Sequence, residues 1–161
     1  MQRVIKFADL VNKIVGYILA IMMGIMSVMV IIQVFNRSFF NFSLYWTEEL
    51  TRYLMIYIVF LGSSIAVRQK KMISIELLPQ MFTDNKRKFI SVIVLLLSIG
   101  FYMIMLYWGI QILDQVKEQA SPGMGLSMAI PYASIPIGGF LLALNAFALI
   151  IDELTSRGKG G

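Results

Sequence analysis

Three ionisable residues, Glu48, Glu49 and Arg52, stand close together where one apolar segment of the chain begins. On a helix, Glu48 can reach Arg52 at i,i+4 and Glu49 can reach it at i,i+3. Such a group could be directed at a substrate or a partner subunit, or it could form an ion pair that makes the segment easier to place in a membrane. Because unpaired charge at membrane depth costs several kcal/mol, we favour structural or inter-subunit pairing, with Arg37 as a candidate second cation.

The residue types that are missing narrow the chemistry further. The chain has no cysteine and no histidine. This excludes disulfides, thiolate nucleophiles and cysteine-ligated zinc, and it removes the usual ligands of membrane haem and the commonest proton shuttle. We therefore expect no cofactor, no metal and no enzymatic activity.

The composition is that of an integral membrane protein. Hydrophobic residues make up 58% of the 161 residues and charged residues 14%, whereas soluble domains average about 25% charged residues. The apolar residues form four runs, and we predict an all-α membrane protein with one four-helix domain over residues 1–161. The predicted spans are residues 14–36, 44–67, 89–113 and 129–151.

The second span needs residues from the charged segment before it. The uncharged run from Tyr53 to Val67 has 15 residues, which is about 22 Å of helix and too short for a hydrocarbon core of about 30 Å. The helix must therefore begin at or before Trp46. Glu48, Glu49 and Arg52 would then enter the membrane at one of its faces.

The distribution of lysine and arginine predicts the orientation. Eleven of these residues lie in the N-terminal segment, the segment between spans two and three and the C-terminal tail, while the two opposite loops contain two. By the positive-inside rule both termini are cytoplasmic. The basic residues thus serve topology, and we expect no nucleic-acid partner. The segment Met72 to Phe82 is apolar but too short to cross, so we expect it to lie in the cytoplasmic interface.

Aromatic, proline and small residues suggest how the helices are placed and packed. Trp46 and Trp108 are expected to anchor the outer membrane boundary. Pro131 and Pro136 near the start of the fourth span predict a bend or a broken first turn. Pairs of small residues at i,i+4 spacing allow helices to approach closely in lipid, and the chain has two candidates: Gly62 with Ala66, and Gly139 with Ala143.

The middle of each span lacks ionisable residues, and its few polar residues include Ser64 and Asn145. A coupled carrier generally needs polar ligands and broken helices near the midplane. The chain is therefore poorly equipped to transport a solute alone, although a homo-oligomeric channel or carrier is the alternative. A membrane enzyme or electron-transfer anchor is disfavoured by the absence of histidine and cysteine.

One stretch resembles the small membrane subunit of tripartite ATP-independent periplasmic (TRAP) transporters, also called the Q-type subunit. It is FNRSFFNFSLYWTEELTRYLMIYIVFLGSSIAVRQKKMISIELL, about a quarter of the chain. The family pattern has an arginine closing span one, then a tryptophan, a Glu-Leu pair and an arginine at span two, and a glycine and a basic residue at its end. The matching residues here are Arg37, Trp46, Glu49 with Leu50, Arg52, Gly62 and Arg68.

The resemblance implies a heteromeric transport complex in the bacterial inner membrane. In that family the small subunit pairs with a large multi-span membrane subunit that carries the sodium and substrate sites. A periplasmic binding protein delivers an organic acid such as a C4-dicarboxylate or a sialic acid. The small subunit is thought to enlarge the fixed scaffold against which the transport domain moves.

Overall fold

The computed structural model describes residues 2–40, 45–69 and 84–155, and these residues are helical apart from Gln69, the connection at residues 117–128 and Ala133. The elements are α1 (Gln2–Phe40), α2 (Tyr45–Arg68), α3 (Asp84–Val116), α4 (Ala129–Tyr132) and α5 (Ser134–Thr155). Among the described residues, four helical stretches are long and apolar enough to cross a membrane, as predicted: Arg3–Phe39, Tyr45–Arg68, Ile90–Val116 and Ala129–Asp152. The expected interfacial segment, Met72 to Phe82, lies outside the described residues.

The first helix is much longer than its predicted span. It has 39 residues, or about 58 Å at 1.5 Å per residue, so it extends well beyond a hydrocarbon core of about 30 Å. The basic lead before the apolar run continues the same helix. Its less exposed residues recur at steps of three and four, as expected for one stripe packed along a neighbouring helix: Ala8, Asn12, Val15, Leu19, Met22, Met26, Met29, Gln33 and Asn36.

The second helix begins at Tyr45, which confirms that it starts before Trp46 and recruits the charged turns. Glu48 lies in its first turn and Arg68 in its last. Both charges are favourable there, because the N-terminus of a helix carries partial positive charge and its C-terminus partial negative charge.

The two prolines break the last span, as the sequence predicts. Neither Pro131 nor Pro136 has an N–H to donate within a helix, and the chain forms the four-residue α4, a turn at Ala133, and then α5. The Ser134 hydroxyl donates to the Pro131 carbonyl at 2.6 Å, and the Tyr57 hydroxyl donates to the Ile130 carbonyl at 2.7 Å. Side chains therefore bind carbonyl groups around the break.

The last helix, α5, is the centre of the bundle. It packs against α3 on one side and against α1 and α2 on the other. The larger core cluster joins it to α3 and to the end of α2 through Leu149, Leu142, Tyr102 and Val67. The smaller cluster joins it to α1 and α2 through Val15, Leu61 and Leu141.

A polar tie joins three helices inside the bundle. Asn145 of α5 is 1% exposed, and its side-chain N–H donates to the Ser64 carbonyl at 2.8 Å and to the Asn12 side-chain oxygen at 2.9 Å. The Asn12 amide in turn donates to the Asn145 oxygen and to the Ala8 carbonyl. This reciprocal pair satisfies amides that would be costly to bury unpaired in lipid.

An ion-pair group joins the same three helices one to two turns further along. Arg68 of α2 contacts Asp9 of α1 at 2.8 Å and Asp152 of α5 at 3.8 Å. The early part of α1, the end of α2 and the late part of α5 therefore meet at the same end of the bundle. We call it the Arg68 end and the other the loop end.

Candidate functional site

The loop end is organised by the connection between α3 and α4. Ala120 and Ser127 form an antiparallel bridge, and Ser121 donates its N–H to the Leu126 carbonyl at 2.7 Å. Gly125, at φ +65°, turns the chain between them, in a conformation that residues with a Cβ rarely adopt. The connection is thus a small hairpin-like loop with its own hydrogen bonds.

Glu49 holds this loop against α2. Its carboxylate accepts the backbone N–H of Gly123 at 2.8 Å and that of Met124 at 3.0 Å, and it also accepts the hydroxyl of Tyr53. Two successive N–H groups aimed at one carboxylate form a small anion-binding concavity. We call this group the Glu49 clasp: Glu49, Tyr53, Gly123 and Met124.

The clasp requires glycine at position 123. A Cβ added there would lie 2.5 Å from the Glu49 carboxylate oxygen and 3.3 Å from the Tyr45 carbonyl oxygen. The backbone of the loop can therefore approach α2 closely because Gly123 has no side chain.

The clasp replaces the ion pair that the sequence suggested at Glu49. Within the described residues, no carboxylate lies within 4.0 Å of Arg52, and Glu49 is held by hydroxyl and backbone donors instead. Glu48 also interacts with another group in the structure, so it is not a free carboxylate. The proposed role of Arg37, Glu48, Glu49 and Arg52 in pairing with another subunit stays a prediction.

The charged start of α2 borders a cleft of 660 Å³. Its mouth is exposed and includes Glu48 and Arg52, while its deeper wall includes the buried Tyr53, Pro131 and Ser134. Apolar side chains supply much of the remaining lining, among them Ile56, Phe60, Met128 and Ile135. The cleft therefore combines a charged mouth with an apolar interior.

The two tryptophans lie on the surface. Trp46 is 41% exposed near the start of α2, and Trp108 is 65% exposed on α3, where its ring meets that of Tyr107 edge to face at 5.8 Å. Both positions suit amphipathic anchors, and their place in an aromatic belt stays a prediction.

The small residues of the predicted pairs have unlike surroundings. A Cβ at Gly139 would meet the backbone of α3, at 3.2 Å from the Leu106 nitrogen and the Tyr102 carbonyl oxygen. Ala143 packs on the larger core cluster. A Cβ at Gly62 would meet the Leu19 side chain at 3.5 Å, an ordinary contact, and its pair partner, Ala66, is partly buried.

Sequence reasoning missed a closer approach at the neighbouring glycine. A Cβ at Gly138 would lie 2.7 Å from the Cβ and Cδ1 atoms of Phe60. The small-residue rule selects spacing, and it does not show which of two adjacent glycines faces a bulky ring. Gly123 and the partners of Asn145 were also missed, because those contacts join residues far apart in sequence.

In the part of the chain that the structure describes, no three His, Cys, Asp or Glu side chains converge as metal ligands. The loop end is thus built from hydrogen-bonded backbone, one bound carboxylate and an amphipathic cleft. This arrangement holds the loop between α3 and α4 against α2.

Several known proteins are similar to this chain in sequence. The family model for the DctQ component of tripartite ATP-independent periplasmic transporters matches residues 26–156. The sialic acid TRAP transporter permease protein SiaT of Haemophilus influenzae is 29% identical over 112 residues, which cover 70% of this chain and 18% of that protein. The chain therefore corresponds to a small part of that relative.

Two smaller relatives match over about three quarters of their own length and nearly all of this chain. The ectoine TRAP transporter small permease protein TeaB of Halomonas elongata is 28% identical, and the match covers 92% of this chain and 78% of TeaB. The C4-dicarboxylate TRAP transporter small permease protein DctQ of Vibrio cholerae is 22% identical, with 97% and 76% covered. With the four spanning helices and the family match over most of its length, this chain belongs to the DctQ family of small TRAP transporter membrane subunits.

Proposed function

We propose that this chain is a non-catalytic scaffold subunit that pairs with a large multi-span membrane subunit of a secondary transporter. Small subunits of this family work with a large permease and a periplasmic binding protein. The chain would extend the fixed part of the complex, and the large subunit would bind the solute and the coupling ion.

The observation that carries this proposal is the closed polar interior of the bundle. Among the described residues, every buried side-chain nitrogen or oxygen has a hydrogen-bond partner. The central polar group, Asn145, is fully engaged by Asn12 and Ser64. A solute anion entering between the helices would find no free donor, whereas transport sites generally offer such donors near the midplane.

The proposed substrate is an organic acid delivered by a periplasmic binding protein and taken up with sodium. Relatives are named for sialic acid, ectoine and C4-dicarboxylate systems. A sialic acid or a C4-dicarboxylate fits the proposal. The residues that would select between them belong, in this proposal, to other subunits.

The proposed orientation places both termini in the cytoplasm and the loop end outside. Because the chain has no cysteine, a single introduced cysteine gives an unambiguous label. Glu118→Cys, at an exposed position beyond α3, should react with a membrane-impermeant maleimide in intact spheroplasts. Gln69→Cys, exposed after α2, should react after permeabilisation alone. The reverse pattern would invert the topology.

Co-purification tests the proposed pairing. The tagged chain should retain the large membrane subunit encoded with it, at a fixed ratio and through size-exclusion chromatography in mild detergent. An unrelated four-helix membrane protein with the same tag is the control. A chain that runs as a homo-oligomer while the co-expressed large subunit elutes separately would contradict the proposal.

A further inference from the structure

The early part of α1 has two unlike faces. One face packs on the bundle, where Ala8 is fully buried and Asp9 contacts Arg68 at 2.8 Å. On the same side, the Asn12 amide bonds to the side chain of Asn145. The described helices leave the opposite side of α1 exposed.

The exposed side mixes cations with large apolar side chains. At about 100° per residue, a sector of about 120° holds six exposed residues. We call them the outward face of α1: Arg3, Lys6, Phe7, Leu10, Lys13 and Ile14. The three apolar side chains are 52–58% exposed. Among the described carboxylates, none lies within 4.0 Å of the three cations, and Asp9, the single acid of residues 2–14, pairs with Arg68 instead.

Topology alone does not account for this arrangement. The positive-inside rule depends on how many lysines and arginines flank a span, and it does not require them on one side of a helix. A face directed at water would also gain nothing from exposed Phe7 and Leu10 between the cations. The headgroup layer of a bilayer accommodates both kinds of side chain, and the outward face leads directly into the apolar run that begins at Ile14.

We propose that the outward face of α1 binds anionic phospholipid in the leaflet at the Arg68 end. Arg3 and Lys6, about 4.5 Å apart along the helix axis, bind phosphate oxygens. Lys13, at the edge of the span, extends its ammonium along its apolar stem towards the headgroups. Acyl chains lie against the three apolar residues of the face.

The charge of the outward face selects the type of headgroup. Its three cations are unpaired among the described residues, so they attract a lipid that carries net negative charge. The face has no carboxylate to bind the ammonium of a zwitterionic headgroup. The proposal depends neither on which leaflet is cytoplasmic nor on the large membrane subunit.

Native mass spectrometry of the delipidated chain tests this surface. Phosphatidylglycerol, phosphatidylethanolamine and phosphatidylcholine with the same acyl chains are supplied at equal concentration, and the chain should retain phosphatidylglycerol above the other two. The triple variant Arg3→Gln/Lys6→Gln/Lys13→Gln should retain at least about tenfold less phosphatidylglycerol, because each cation near an anionic surface strengthens binding about fivefold. Its retention of the two zwitterionic lipids should stay unchanged.

Single variants separate the face from net charge. Lys6→Gln and Lys117→Gln each remove one exposed cation, and Lys117 lies at the loop end beside Asp114. Lys6→Gln should lower phosphatidylglycerol retention, whereas Lys117→Gln and the charge-preserving Lys6→Arg should not. Leu10→Gln keeps every charge and should also lower retention, since it removes an apolar contact. Far-UV circular dichroism confirms that each variant is folded.

Several outcomes would overturn the proposal. Equal retention of the three lipids by wild type would show that the face does not select charge, and an equal loss in Lys117→Gln would show that net charge alone is responsible. Displacement of the lipid by excess inorganic phosphate would show that a free anion is sufficient. If Lys6→Gln made no difference in a complex with the large subunit, that subunit would cover the face instead of lipid.

Discussion

Gly138→Ala should lower the free energy of unfolding by about 1–3 kcal/mol relative to Gly62→Ala, because it overpacks a tight helix contact. The added Cβ would lie 2.7 Å from the Cβ of Phe60, an atom fixed to the backbone of α2, so α2 and α5 must move apart. At Gly62 the added Cβ meets the tip of Leu19 at 3.5 Å. Both variants gain the helix propensity of alanine, which therefore cancels in the comparison.

Equilibrium unfolding in mixed micelles, followed by circular dichroism, measures this difference. Phe60 also lines the cleft, so the same displacement should reach the loop end. Equal stability of the two alanine variants would show that α2 and α5 are not packed through Gly138.

Glu49→Ala should release the loop between α3 and α4 from α2, because it removes three hydrogen bonds at once. The amides of Gly123 and Met124 donate to Glu49, and in the variant they should exchange with solvent much faster. The amide of Gly125 donates to the Ser121 carbonyl at 3.0 Å, within the loop. It should keep its protection, which distinguishes undocking of the loop from its unfolding.

Residue-resolved hydrogen exchange measures both effects in one sample. Glu118→Ala removes an exposed carboxylate at the same end of the bundle and should leave all three amides unchanged. If Gly123 and Met124 stayed protected in Glu49→Ala, the clasp would not be what holds the loop. If Gly125 lost protection as well, Glu49 would be supporting the fold of the loop itself.

The spanning helices could be predicted because a bilayer imposes strong and local constraints. Length and apolar composition alone place four helices, and the uncharged run after Arg52, at 15 residues, is too short to span, which requires α2 to start early, as it does at Tyr45. The break at Ala133 follows from the missing N–H groups of Pro131 and Pro136. Each of these features depends on residues that are neighbours in sequence.

The partners of Glu49 could not be predicted in this way. Helical periodicity offers neighbours three and four positions away, which include both Arg52 and Tyr53. The structure uses Tyr53, together with two backbone N–H groups 74 and 75 residues further along. Almost every residue type carries a backbone N–H, so residue types in a sequence do not show which N–H will bind a carboxylate. The one indication in the sequence was Gly123 in the loop.

The same limit applies to Asn145, which sequence analysis placed inside a span without a partner. Its reciprocal amide pair with Asn12 joins residues 133 positions apart. Asn12 lies just before the predicted first span, in the basic N-terminal segment, which hydropathy alone places outside that span. The continuous α1 brings it into the bundle, so the contact depends on helix length as well as on polarity.

Uptake by proteoliposomes tests the scaffold role most directly. The purified chain is reconstituted with an inward sodium gradient and the soluble binding protein, alone and together with the large membrane subunit, and radiolabelled sialic acid or a C4-dicarboxylate is supplied. We expect uptake by the two membrane subunits together and none by this chain alone, because its described interior offers a substrate no free polar ligand. Sodium-dependent uptake by this chain without a second membrane subunit would contradict it.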